Sequence, residues 1–156
     1  MHPEILSISL FWFVTAYTPG PNNVVASYSG FNFGITKTIP HILGVTFGFT
    51  SLVLFLSIGL INVFKLFPII QVVMRYLGTL FLIYLAYKIA LYNELQEKKI
   101  KNPVKFYDTF IFQFVNPKGV FAAITAISLF VELGSNYLFH SSIVIGVSFF
   151  LSLIHI

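Results

Sequence analysis

The sequence predicts an all-α polytopic membrane protein, because of its composition, its long apolar runs and its shortage of charge. Of the 156 residues, 57% are hydrophobic and 9% are charged, and the mean hydropathy is +0.89. Soluble domains carry about 25% charged residues, and at this size they leave roughly 30% of their chain surface exposed. A soluble fold therefore could not hide so much apolar surface. Each apolar run is close to the ~20 residues with which a helix crosses a bilayer.

We expect five spans, separated by short turns and one polar loop. The spans cover residues 5–28, 38–60, 72–92, 106–130 and 141–156. The connections cover residues 29–37, with Gly30 and Gly34 as helix breakers, and residues 62–68, 93–105 and 132–140. The last span reaches Ile156 without a polar or basic end. We therefore expect a truncated sequence that contains five of six transmembrane helices.

Proline interrupts the first and the fourth span near their centres. Pro19 and Pro21 lie in the first span and Pro117 lies in the fourth, and each break is flanked by asparagine. Proline lacks the N–H that would pair with a carbonyl one turn earlier. Because an unpaired backbone group costs several kcal/mol in hydrocarbon, irregular backbone persists there only inside protein or around a polar cavity. We predict that both breaks belong to a site, and a purely structural kink is the alternative.

The spacing of the two breaks predicts an internal symmetry. The second break comes three spans after the first, so the two halves of the chain would insert with opposite orientations. Such inverted repeats with paired broken helices are typical of secondary transporters. We predict a 3+3 inverted repeat with broken helices 1 and 4, in a single transmembrane transporter domain over residues 1–156. Repeat one covers about 1–92, a cytoplasmic loop about 93–105, and a partial repeat two about 106–156.

Basic residues predict the orientation in the membrane, since cytoplasmic connections carry an excess of Lys and Arg. If the loop 93–105 is cytoplasmic, the residues on that side are Lys37, Lys88, Lys98, Lys99, Lys101 and Lys105. Only Lys65 and Arg75 then lie outside. The sequence thus predicts an N-terminus outside the cell.

The chain resembles a known family at several motifs that follow one another in the family's order. These are TPGPNN at 18–23 with a glycine-rich second span, MRYLGTLFLIYLAYKIAL at 74–91, and FQFVNPKGVFAAITAISLF at 112–130. They are similar to the LysE/RhtB amino-acid exporters, and the third motif is most similar to the cysteine/O-acetylserine exporters. Family members are longer and have six spans. Many of them carry an acidic residue at the position of Phe49.

The resemblance implies a secondary active exporter of small amino acids or their metabolites, working by alternating access and driven by protons. It implies a multi-pass protein of the bacterial plasma (inner) membrane that is not an enzyme and uses no cofactor. The expected partners are a small amino-acid substrate and the lipid bilayer, with no nucleic acid, and a homo-oligomer is left open. The alternatives are a non-transporting scaffold or an inactive fragment, and then an intramembrane enzyme. The identity of the amino acid, the coupling ion and the stoichiometry stay open.

The two breaks supply the candidate substrate-binding residues, which are Thr18, Pro19, Gly20, Pro21, Asn22, Asn23, Gln113, Asn116, Pro117 and Lys118. The first amides of the helix after Pro21, on Asn22, Asn23 and Val24, are expected to be unpaired and to suit a carboxylate.

The carbonyls of Thr15, Tyr17 and Gln113 are expected to suit an ammonium group. Lys118 is expected to pair with the substrate carboxylate or with asparagine side chains, and snorkelling to an interface is the alternative. His41 is predicted to be an interfacial histidine rather than a proton relay.

Overall fold

The computed structural model describes residues 3–70, 72–73, 76–77, 80, 102–131 and 136–154, and over these residues the regular structure is all helical. The helices are α1 (Pro3–Tyr17), α2 (Pro21–Phe33), α3 (Ile35–Leu66), α4 (Phe106–Phe112), α5 (Pro117–Phe130) and α6 (Tyr137–Ile154). Most of the predicted third span and most of the polar loop lie outside the described residues. The all-α prediction is confirmed.

Two of these helices are long and apolar enough to cross a membrane, namely the Ile35–Gly59 part of α3 and the whole of α6. Helices α4 and α5 pass the same test as a pair, with a bend of 55° between them, and would make a third span. Helix α1 is apolar but shorter than a span, over Ile5–Tyr17. The described part of the chain therefore has the helices of a multi-pass membrane protein.

Both proline breaks are present where the sequence predicts them. Helix α1 ends at Tyr17 and α2 begins at Pro21, while α4 ends at Phe112 and α5 begins at Pro117. Proline suits the first position of a helix, because the N–H that it lacks would have no partner there. Each break therefore ends one helix and begins the next.

The turn between the first and second spans is much shorter than predicted. The expected turn over residues 29–37 was wrong, because α2 continues through Gly30 to Phe33 and α3 begins at Ile35. Only Gly34 breaks the helix, with a φ of 82° that L-residues rarely adopt. Gly30 stays helical, since a glycine within a helix costs only about 1 kcal/mol relative to alanine.

Two other predicted turns are also too long. Helix α3 extends to Leu66, so residues 62–66 of the expected turn 62–68 are helical and Phe67 follows the helix end. Helix α6 begins at Tyr137 instead of residue 141. Polar residues in these stretches, such as Asn62 and His140, are tolerated inside helices because propensity differences between ordinary residues are below about 0.7 kcal/mol.

Helix α3 is the central element of the described structure, and it packs against α2, α4, α5 and α6. The apolar core forms between α1, the second half of α3, α5 and α6. Its buried side chains are Ile8, Trp12, Val53, Ala122, Ala123, Ala126, Ile127, Val131 and Val144. The first half of α3 instead faces α2 and α4 with buried polar residues, which include Ser29, Thr38, His41, Thr46, Thr109 and Gln113.

Two glycines set the close approach between α3 and α4. A Cβ at Gly44 would lie 2.0 Å from Thr109 Oγ1, and one at Gly48 would lie 2.6 Å from the Phe110 carbonyl oxygen. Neither position can hold a side chain without moving the backbone of α4. Gly44 and Gly48 are four residues apart, and two small residues at this spacing predict a close contact between membrane helices. The structure identifies α4 as the partner helix.

Candidate functional site

The two breaks meet through a pair of carboxamides, one from each broken helix. Asn22 Nδ2 donates to Gln113 Oε1 at 2.8 Å, and Gln113 Nε2 donates back to Asn22 Oδ1 at 3.2 Å. Gln113 Nε2 also donates to the Thr109 carbonyl at 2.8 Å, and the Gln113 side chain is fully buried. This carboxamide pair, Asn22 and Gln113, joins the start of α2 to the end of α4.

Lys118 makes the second connection between the breaks. Its Nζ donates a hydrogen bond to the Thr18 carbonyl oxygen, 100 residues away in the sequence. Gly20 leaves the space for this side chain, because a Cβ there would lie 2.9 Å from Lys118 Cδ. The partner of Lys118 is thus a backbone carbonyl of the first break, and the side chain is directed into the protein.

The end of α1 is capped by groups from α2 and α5. Asn23 Nδ2 donates to the Ala16 carbonyl at 3.1 Å, and the Thr18 carbonyl receives Lys118. At this break the carbonyls of Val14, Ala16 and Thr18 each accept a hydrogen bond from a side chain, whereas we expected an ammonium site at the carbonyls of Thr15 and Tyr17. We predicted an unpaired amide at Val24, and this was wrong, because the Val24 amide donates to the Gly20 carbonyl at 3.1 Å.

Asn116 holds the N-cap position of α5 without forming a side-chain cap. An asparagine at this position ordinarily accepts a hydrogen bond from the first turn of its helix. Here its Oδ1 is buried and has no hydrogen-bond partner among the described residues. Of the three asparagines at the breaks, Asn23 therefore caps a helix end, Asn22 joins the carboxamide pair, and Asn116 keeps an unused acceptor.

His41 is buried between the helices, and its position at the membrane interface stays a prediction. Its side chain is 1% exposed, and its Nε2 lies 3.2 Å from the Asn22 carbonyl oxygen. A carbonyl oxygen only accepts, so Nε2 is the protonated nitrogen. The Thr109 hydroxyl oxygen lies 3.4 Å from the His41 carbonyl oxygen and 3.0 Å from that of Phe106. His41 thereby ties α3 to both half-helices that hold the carboxamide pair.

A cavity of about 60 Å³ lies where the breaks meet. Seven of the ten predicted site residues line it: Gly20, Pro21, Asn22, Asn23, Gln113, Asn116 and Lys118. Thr18, Pro19 and Pro117 do not line the cavity, although the Thr18 carbonyl accepts the hydrogen bond from Lys118. The structure therefore brings together the residues of two breaks that are almost 100 positions apart in the sequence.

The cavity wall also contains residues that the sequence analysis did not select. Trp12 comes from α1, Phe49 from α3, and Ser148 and Ser152 from α6. The rings of Trp12 and Phe49 pack edge to face, with centroids 5.4 Å apart. The two serines are four residues apart and so share one face of α6. The spacing of these two serines could have indicated from the sequence that they share a site. No local pattern in the sequence indicates that Trp12 lines a cavity.

No metal centre is evident in the part of the chain that the structure describes, since no three His, Cys, Asp or Glu side chains come together there. The cavity instead offers carboxamides, the Ser152 hydroxyl, the Lys118 ammonium group and the first turns of α2 and α5. Such groups bind a small polar or zwitterionic solute by hydrogen bonds and charge.

Broken apolar helices that meet at a cavity with polar groups in its wall are typical of membrane transporters. The family model described as "LysE type translocator" matches residues 13–155, and the chain belongs to this family.

Curated relatives agree with the family match. The chain is 35% identical to the cysteine/O-acetylserine efflux protein of Salmonella paratyphi A (strain ATCC 9150 / SARB42) over 157 aligned positions, which cover 99% of this chain and 78% of the relative. The proteins of the same name from Salmonella choleraesuis (strain SC-B67) and Escherichia coli (strain K12) are 34% and 32% identical over the same shares. No solved structure gives a significant match. The protein is therefore a membrane transporter and not an enzyme.

Proposed function

We propose that the protein is a secondary active exporter of small amino acids or their metabolites, in the bacterial inner membrane. The observation that carries the proposal is the meeting of the two breaks at one cavity, with the polar side chains of Asn22, Gln113 and Lys118 in its wall. The printed names of the relatives, which are cysteine/O-acetylserine efflux proteins, support an amino-acid substrate for this chain.

The two charges of an amino acid find different partners at this cavity. Lys118 supplies a positive charge, and the amides of Asn22 and Asn23 lie in the first turn of α2, where helix N–H groups lack intrahelical partners. These groups suit the substrate carboxylate. Asn116 Oδ1 is an unused acceptor and suits the ammonium group. In this way protein groups replace the water that a zwitterion loses on entering the membrane.

Alternating access would proceed by movement of one broken unit against the other. The bend of 55° between α4 and α5 has its counterpart in the break between α1 and α2, which supports the 3+3 inverted repeat. On this proposal the carboxamide pair and the contact between Lys118 and Thr18 hold one state together, and substrate competes for the same groups.

Proton coupling is the drive that the family resemblance implies. In this chain Phe49 lines the cavity at the position where many family members carry an acidic residue. Among the described residues, His41 and Lys118 have titratable side chains that bond to the two breaks, so we propose that one of these carries the coupling proton.

Efflux from whole cells tests the proposed function. Cells that express the chain are loaded with radiolabelled L-cysteine or O-acetyl-L-serine, and the label that leaves the cell is measured. We expect Lys118→Leu to lower the efflux rate by roughly tenfold or more, because a hydrogen bond to a charged group contributes about 1.5–3 kcal/mol.

The matched control is Lys37→Leu, which removes an exposed lysine outside the cavity wall and should leave the rate unchanged. Equal loss in both variants would point to general damage to the membrane protein. Full efflux by Lys118→Leu would refute the assignment of Lys118 to the site, and the absence of any efflux by the unaltered chain would refute the exporter.

A further inference from the structure

Three side chains in the cavity wall hold buried polar atoms that have no hydrogen-bond partner. The atoms are Trp12 Nε1, Asn116 Oδ1 and Ser152 Oγ, and the statement covers partners among the described residues. The side chains of Trp12, Asn116 and Ser152 are 3%, 3% and 4% exposed. Buried polar groups in folded proteins are nearly always paired. Three exceptions around one cavity indicate that the missing partner is a ligand.

The unpaired atoms differ in whether the ligand must donate or accept the hydrogen bond. The Asn116 oxygen only accepts, and we have matched it to the substrate ammonium group. The Trp12 indole N–H only donates, and the Ser152 hydroxyl both donates and accepts. Trp12 and Ser152 carry no charge, so they complement a neutral polar group that contains an acceptor atom. The charged ends of an amino acid already have partners at the breaks.

We propose that Trp12 and Ser152 form the subsite for the substrate's own side chain, and that this subsite selects small side chains carrying a hydroxyl, a thiol or an ester oxygen. The inference rests on the proposed function, because it assumes that an amino acid occupies the cavity. A side chain with such an acceptor pairs with Trp12 and Ser152, whereas an aliphatic side chain of the same shape leaves both unpaired. Sites of this kind discriminate strongly against analogues that lack the polar group.

The cavity must widen for this ligand to enter. Its volume of about 60 Å³ is well below the roughly 150 Å³ of a protein cavity that admits benzene. Trp12 Nε1 and Ser152 Oγ are covered in this conformation, and they bear the desolvation penalty of unpaired buried groups. Pairing with a ligand removes that penalty, so substrate with a polar side chain favours the widened cavity more than an aliphatic one does.

Ser148 supplies a matched control. It lines the same cavity one helical turn before Ser152 and is 2% exposed, but its Oγ already donates to the Ile145 carbonyl at 2.8 Å. Ser152→Ala and Ser148→Ala therefore make the same chemical change on the same face of α6. Only Ser152→Ala removes an atom that we propose to bind the ligand. Trp12→Phe likewise removes the N–H while keeping a ring against Phe49.

The experiment compares the binding of L-serine with that of L-2-aminobutyrate, in which a methyl group replaces the hydroxyl. Trp12 is the only tryptophan in the sequence, so tryptophan fluorescence of the purified chain reports directly on this cavity wall. Calorimetry provides the affinities for Trp12→Phe. We expect the unaltered chain and Ser148→Ala to prefer L-serine by roughly tenfold, and we expect Ser152→Ala and Trp12→Phe to lose most of that preference.

Efflux of labelled serine is measured in parallel, so that two kinds of failure are told apart. If the unaltered chain binds and exports serine but Ser152→Ala and Trp12→Phe keep its preference, the subsite is wrong and the exporter stands. A preference of the unaltered chain for L-2-aminobutyrate also overturns the subsite. If the unaltered chain binds neither amino acid and exports no labelled L-serine, L-cysteine or O-acetyl-L-serine, the proposed function fails and the subsite fails with it.

Discussion

At the scale of single residues, the carboxamide pair of Asn22 and Gln113 is the most specific contact between the two breaks. Each carboxamide has one acceptor oxygen and one donor nitrogen, so the pair satisfies itself in both directions. Removing one member leaves the other without its partner in a place from which water is largely excluded. Leaving a buried polar group unsatisfied costs about 1–3 kcal/mol.

Gln113→Ala is therefore expected to destabilise the protein by about 1–3 kcal/mol, measured as a lower Tm in detergent. Asn32→Ala is the control, because Asn32 is exposed and donates only to the Tyr28 carbonyl of its own helix. Its effect should stay within about 0.5 kcal/mol. In a double-mutant cycle, Asn22→Ala combined with Gln113→Ala should cost less than the two single changes added together. Strict additivity would show that the pair contributes nothing to stability.

The sequence predicted the break residues but not their neighbours in the cavity. Proline and the residues beside it act on the local backbone, so Pro21, Asn22 and Gln113 are recognisable without a fold. Trp12 and His41 join the site only because helices far apart in the sequence pack there. For the same reason the sequence did not reveal that Lys118 would bond to the Thr18 carbonyl.

At the scale of helices, the packing of α3 on α4 depends on Gly44 and Gly48. A methyl group at Gly44 would also lie 2.5 Å from the Phe106 carbonyl oxygen, which belongs to the backbone and cannot rotate away. The helices must separate to admit it, and this would disturb Thr109 and the carboxamide pair next to it. Overpacking of this kind costs about 1–3 kcal/mol.

Gly44→Ala and Gly48→Ala are expected to lower the Tm and to reduce transport. Gly59→Ala in α3 and Gly146→Ala in α6 are the controls, since a Cβ at either position meets no described atom within 4 Å. These two changes should be neutral or stabilising by up to about 1 kcal/mol, because alanine favours the helix. The prediction is contradicted if all four alanines have the same effect.

The ends of the helices were predicted less accurately from the sequence than the breaks at the prolines. Gly30 and Gly34 look equivalent in the sequence, but only Gly34 adopts a positive φ. The side-chain bond from Thr38 Oγ1 to Ser29 Oγ, at 2.9 Å, joins α2 to α3 on either side of this sharp turn. The choice between the two glycines is thus made by packing between the helices, which no local pattern encodes.

At the scale of the whole molecule, α3 is longer than the membrane is thick. With 32 residues and a rise of 1.5 Å per residue, it is about 48 Å long, against about 30 Å of hydrocarbon. Either the helix is strongly tilted or its ends extend into the interfacial regions on the two sides. Lys37, exposed in its first turn, then marks one of those sides.

We propose that this side is the cytoplasm and that the N-terminus is outside. The sequence has no cysteine, so any cysteine introduced is the only thiol. Lys37→Cys and Lys105→Cys should react with a membrane-impermeant maleimide only from the cytoplasmic side, and Asn136→Cys only from outside. All three positions are exposed, whereas Val53→Cys, at a fully buried position, is the unreactive control. The opposite pattern of labelling would reverse the orientation.

The membrane character and the all-α class followed from composition alone, because the apolar excess is spread over the whole chain. The 3+3 repeat stays a proposal, since most of the third span lies outside the described residues. What the structure adds is the packing of α3 against α2, α4, α5 and α6, an arrangement that depends on the shapes of all five helices together.

The carboxamide pair has an electrical consequence. Neither Asn22 nor Gln113 carries a net charge, so forming or separating the pair transfers no charge through the membrane field. Moving one elementary charge across 100 mV involves about 2.3 kcal/mol, and a zwitterionic amino acid also sums to zero. A dependence of export on membrane voltage would therefore point to a charge outside the pair, such as that on Lys118 or His41 or on an accompanying ion.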